Sequence, residues 1–163
     1  DPRRPAFDAN RQAEIEAVKP VIERLKETGW TFGSHTWGHI RLDSRPLESV
    51  QRDTVRWAEE VGSLVGPTNI LFYPHGGRPD GDDWHSTGPV FQYLQSQGFR
   101  IFASVGINSF SYIKKDISAV ICDRLHPDGT TLRNGKALEW YSQFYDAREI
   151  IDLDVRPDLG VTW

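Results

Sequence analysis

Two histidines four residues apart, His35 and His39, are the side chains best suited to chemistry in this chain. Neutral imidazole is the commonest protein donor to a divalent metal, and zinc-like borderline ions accept such a pair. At this spacing both rings reach one side of the chain if the segment between them makes a helical turn. Thr36 directly after His35 excludes a peptidase of the H-E-x-x-H kind, which needs a glutamate base at that place. Five histidines in 163 residues make the bare spacing a weak signal, so its position in the fold must support it.

Regular elements supply that position. Ile15, Val18, Val21, Ile22 and Leu25 recur at three- and four-residue spacing, which predicts an amphipathic helix over 9–28 closed by Gly29. The aromatic, β-prone stretch 30–34 then reads as a strand that runs directly into His35. Val50, Val55, Trp57 and Val61 predict a second helix over 47–64, ended by Gly66-Pro67. A strand over 70–73 stops at Pro74, and the glycine-rich segment 76–88, with Asp82-Asp83 and Trp84, reads as an exposed loop. A helix over 90–97, strands over 99–105 and 119–125, a helix over 136–144 and a strand over 149–153 complete the pattern. Alternating strands and helices predict an α/β fold with a mainly parallel sheet, whose ligands lie at the carboxyl ends of strands. His35 and the Tyr73-Pro74-His75 turn both fall at such ends. An open flavodoxin-like sheet fits the pattern taken alone.

Composition narrows the function classes. The hydrophobic share of 38% and charged share of 26% belong to a globular chain, with no internal repeat or linker to divide residues 1–163. The net charge of -4 is spread along the sequence without a basic stripe, which excludes nucleic acid as an expected partner. No apolar run approaches the length of a transmembrane helix. The single cysteine, Cys122, sits in an apolar strand-like run and reads as a buried residue rather than a nucleophile. Arg124 reads as structural. The sequence contains no methionine, which leads us to expect a portion of a longer translation product.

Gly33-Ser34-His35-Thr36-Trp37-Gly38-His39 resembles the G-S-H-[ST]-x-x-H motif of NodB-like polysaccharide deacetylases, carbohydrate esterase family 4. The resemblance implies that His35 and His39 ligate a divalent metal, most often zinc. Phe72-Tyr73-Pro74-His75-Gly76 resembles that family's R-x-P-[YF]-G motif. It implies a groove lined by Tyr73, Pro74 and His75, with the His75 backbone N–H helping to hold an oxyanion. Trp37 is a candidate stacking platform for a sugar ring. Leu125-His126 resembles the late L-x-H motif, whose histidine is a general acid; a solvated loop histidine is the alternative reading.

Two departures matter. Phe72 stands where the motif has arginine, and the early T-F-D-D motif, source of the catalytic base and third metal ligand, is absent. The resemblance, which covers roughly residues 10–125, therefore implies a distorted (β/α) barrel of which this chain is the larger C-terminal part. The first one or two β/α units would be missing, and the incomplete barrel would favour a dimer or strand exchange. The implied activity is metal-dependent hydrolysis of N-acetyl or O-acetyl groups on a polysaccharide, with this chain alone inactive. An inactive deacetylase-like domain that binds carbohydrate or a protein is the alternative. Family resemblance also implies a secreted or cell-surface location in a bacterium, with a role at the cell wall.

Overall fold

Helix termination is where local sequence acts most directly. Helix α1 (Arg4–Glu27) ends in a left-handed Gly29 with φ 88°. There the Gly29 N–H bonds the Lys26 carbonyl at 3.0 Å and the Trp30 N–H bonds the Leu25 carbonyl at 3.0 Å. Helix α4 (Pro89–Ser96) closes in the same way, through Gly98 at φ 97° and a 3.2 Å bond from the Phe99 N–H to the Leu94 carbonyl. Both glycines adopt a conformation that a Cβ would penalise, and the paired bonds satisfy carbonyls the helix leaves open. Between them lie α2 (Leu47–Trp57), a π-helical turn over Ala58–Gly62, and the short α3 (Ser63–Val65). The expected helix over 47–64 is thus one helical run with a π-bulge inside it. The computed structural model describes residues 4–81, 88–105, 112–114, 118–124, 139 and 141–143.

Four strands, β1 (Ile70–Phe72), β2 (Ile101–Val105), β3 (Tyr112–Lys114) and β4 (Ala119–Arg124), form one sheet in the order β1-β2-β4-β3. β1, β2 and β4 are parallel, while β3 joins β4 antiparallel and was not expected from the sequence. Among the described residues the sheet is small and open, which is compatible with the expected partial barrel and does not show a closed one. Closing a barrel needs strand pairing all the way round, and β1 is met on its outer side by a single parallel bridge from Ser34 to Leu71. That bridge is also what remains of the expected strand over 30–34. Ser34 exchanges bonds of 2.9 and 2.8 Å with Ile70 and Phe72, whereas Trp30 is 66% exposed. The expected strand over 149–153 and most of the helix over 136–144 lie outside the described residues.

The core sits between the sheet and helices α2 and α4. Leu42, Val50, Leu71, Tyr73, Val90, Phe91, Leu94, Phe99, Phe102, Ala119 and Ile121 form one buried cluster. Helix α1 contributes less than its periodicity suggests: Ile22 is buried, but Val18 and Val21 are exposed. Phe102 is fully buried with its ring centroid 4.9 Å from that of Phe91. Phe102→Ala should therefore lower the unfolding free energy by about 3–5 kcal/mol, read from urea titration. Among the described residues no helix is long and apolar enough to cross a membrane.

Candidate functional site

The Ser34 bridge delivers His35 to the carboxyl end of β1, next to the Pro74–Gly76 turn that leaves the same strand. His35 Nδ1 lies 2.8 Å from the Phe72 carbonyl oxygen. A carbonyl only accepts, so Nδ1 carries the proton and the lone pair of the neutral ring is on Nε2. This backbone tether fixes ring and tautomer as metal-bound imidazoles require. The ring centroid of His39 is 4.9 Å from that of His35, and that of His75 is 4.5 Å from His39. Three imidazoles thus gather at one sheet edge, two of them from the H-x-x-x-H segment. The rings meet edge to face, and among the described residues no group of three or more His, Cys, Asp or Glu side chains is arranged to hold a metal ion.

The two histidines are not brought together by a helical turn, which corrects the geometry expected from their spacing. Thr36 and His39 have φ of 61° and 51°, in the left-handed region. Asp53, on α2, accepts the backbone N–H groups of Trp37 at 2.9 Å and Gly38 at 2.6 Å. Those donors would point along the axis in a helix; here a carboxylate from another element takes them and folds the segment back. Thr36 Oγ1 accepts the Ile40 N–H at 3.1 Å, and buried Ser34 accepts that of Thr36 at 3.2 Å. A Cβ on Gly38 would stand 3.1 Å from Asp53 Oδ2, so the small residue permits this approach.

Trp37 is held on its other side. Its Nε1–H donates to Glu60 at 3.0 Å and the Arg56 guanidinium stacks 3.5 Å from the ring centroid. Glu60 also receives Arg56 and Arg11. One face of Trp37 is therefore occupied by Arg56, and a sugar ring has only the opposite face to use.

Tyr73 and Pro74 are corrected. Both are fully buried, Tyr73 tilted against Phe102 in the core. Strand alternation puts Leu71 and Tyr73 on the core face, so these residues shape the turn and do not line a groove. His75 is exposed and left-handed at φ 55°. Phe72, in the motif's arginine position, lies so close to residue 33 that a Cβ there would fall 2.5 Å from its ring. Gly33→Ala should cost about 1–3 kcal/mol in thermal unfolding, because the Phe72 ring that abuts the His35 tether must shift. Cys122 packs as a strand residue, its Sγ 3.8 Å from the Phe102 carbonyl and its thiol pKa raised by burial. His126, Asp82, Asp83 and Trp84 lie outside the described residues.

Burial depresses the pKa of His35, the Phe72 hydrogen bond opposes that shift, and the charges of Arg124, His39 and His75 add to it. A folded pKa below the ordinary 6.5 means that the unfolded chain takes the proton first. The stability this group contributes is complete above 6.5 and is lost as pH falls through the folded value. In EDTA the melting temperature should drop on acidification below that point, and the drop should be smaller in His35→Asn.

Asp53 and the third imidazole of His75 were not foreseen as partners of the pair. Asp53 carries no sequence signal, since one aspartate on a helix face resembles any other. His75 gave one, its place at a strand end.

A family model described as polysaccharide deacetylase matches residues 7–99, more than half of the chain, including His35, His39, Asp53 and His75. No curated protein and no solved structure matches.

Proposed function

The chain belongs to the polysaccharide deacetylase family, and from that premise we propose that it takes part in metal-dependent removal of acetyl groups from a polysaccharide, with His35 and His39 as two ligands to the ion. The observation that carries the reading is the 2.8 Å tether of His35 Nδ1 to the Phe72 carbonyl, with the His39 ring 4.9 Å away. The donor set suits zinc: two imidazoles, one with its tautomer fixed. A bound divalent ion supplies Lewis acidity toward an acyl oxygen and a lowered pKa for water.

The chain's own residues do the rest. The depressed pKa of His35 keeps its ring neutral near pH 7. The His75 backbone N–H, in the exposed left-handed turn at φ 55°, is the proposed donor to the acyl oxygen as negative charge develops there. The exposed face of Trp37 is the proposed sugar platform. His126 is the proposed acid toward the departing amine or alcohol. Water adds to the acyl carbon, the bond to the sugar nitrogen or oxygen breaks, and the proton passes to that leaving atom, giving free acetate.

Phe72 in place of the motif arginine favours a second reading, a binding domain without catalysis. Acetate assays on N-acetylated chitooligosaccharide and on acetylated xylan, with added zinc and with EDTA, separate them. Zinc-dependent acetate release supports the first reading. Retention of glycan that neither releases acetate nor changes between zinc and EDTA supports the second.

A further inference from the structure

We propose that Arg124 is a carboxylate-binding residue of this site, taking a small carboxylate ligand beside the histidines. Arg124 is the last residue of β4, paired in register with Val105 at the carboxyl end of β2. The Cβ position of Gly76 lies 3.6 Å from Val105 Cγ1, so the turn carrying His75 meets the same edge. The Arg124 guanidinium stands 5.7 Å from the centroid of Phe72, whose carbonyl holds His35. Its charge is near enough to help depress the pKa of His35.

The Nε of Arg124 is buried and has no hydrogen-bond acceptor among the described residues. A guanidinium cannot shed its proton, and the aromatic face of Phe72 offers a cation attraction but no lone pair. Asp123, the adjacent carboxylate, points to the opposite face of the sheet by strand alternation. Buried donors in folded proteins are nearly always satisfied, so a donor at the carboxyl end of β4 that lacks an acceptor calls for a ligand that brings one. The planar fork of arginine matches a carboxylate in geometry and charge, and that match gives the shortest and strongest of its hydrogen bonds.

Two sources present that chemistry at a glycan-processing site: the acetate set free by deacetylation, and the carboxylate of an acidic sugar. For the source of the ligand the inference rests on the proposed function; for the residue it rests on the geometry alone. The test titrates the whole chain, in EDTA and at a pH that keeps imidazoles neutral, with sodium acetate and separately with sodium glucuronate. Arginine Nε–Hε and histidine Cε1–H resonances are followed. Saturable movement of the Arg124 signal by either ligand is expected, and the tighter of the two identifies the source. Arg124→Gln should weaken that binding about tenfold or more, and Arg124→Lys should retain part of it, because the charge survives without the fork. Dispersed core methyl signals report that the variants fold.

Failure of both ligands to saturate, or equal binding by Arg124→Gln, overturns the inference. A parallel zinc titration keeps the two proposals apart. Zinc bound through His35 and His39 with the Arg124 signal unmoved removes this inference alone; carboxylate bound without zinc removes the proposed function alone.

Discussion

Replacing His35 or His39 with alanine will lower the affinity of the chain for zinc on the order of a hundredfold, and the double replacement will leave no site-specific binding. Each imidazole supplies one donor, and among the described residues no group of three or more His, Cys, Asp or Glu side chains is arranged to hold the ion. The two single variants differ in one respect. His35 is half-buried and tied to Phe72, so its removal also opens a gap beside β1, whereas exposed His39 is removed at little structural cost. Competition with a chromophoric chelator measures affinity, and melting in EDTA measures the stability effect separately. His39→Ala should lose zinc with an almost unchanged melting temperature. Wild-type affinity in both single variants would end the assignment of this pair.

Asp53→Ala will weaken zinc binding about tenfold although Asp53 touches neither ring, in line with the effect of outer partners at metal sites. Its carboxylate holds the Trp37 and Gly38 N–H groups, and those two bonds set the left-handed turn that brings His39 to within 4.9 Å of His35. Both N–H groups belong to exposed residues and turn to water when the carboxylate goes, so stability should fall by only about 1–2 kcal/mol. Asp53→Asn keeps one acceptor oxygen and should sit between wild type and alanine in zinc affinity. This graded affinity, read beside melting in EDTA, marks a positioning residue. Loss of melting temperature with zinc affinity intact would reduce Asp53 to a structural role.

Local rules made parts of this molecule legible. Gly29 and Gly98 end their helices as their sequence setting predicts, because C-terminal capping depends on a few adjacent residues. The period of α2 and the apolar run of β4 were read with bounds close to those observed. Legibility fails where tertiary context decides. Residues 30–34 are β-prone, yet pairing stops at Ser34, since a strand exists only to the extent that a neighbour bonds it. Tyr73 belongs to a motif associated with a groove, but the parity of β1 turns it into the core. The spacing of His35 and His39 suggested a helical turn, whereas a left-handed segment brings the rings together; the carboxylate that shapes it lies sixteen residues beyond Trp37. Arg124 read as structural because the sequence does not show that its Nε is buried without an acceptor among the described residues.

The central claim is that His35 and His39 bind one ion together, and nitrogen-15 NMR of the imidazole rings during zinc titration tests it most directly. One equivalent of zinc should move both rings into the metal-bound range. His35 should coordinate through Nε2 while its Nδ1 proton persists in the 2.8 Å bond to the Phe72 carbonyl. Zinc that leaves either ring unmoved, or that displaces the Nδ1 proton of His35, would contradict the account.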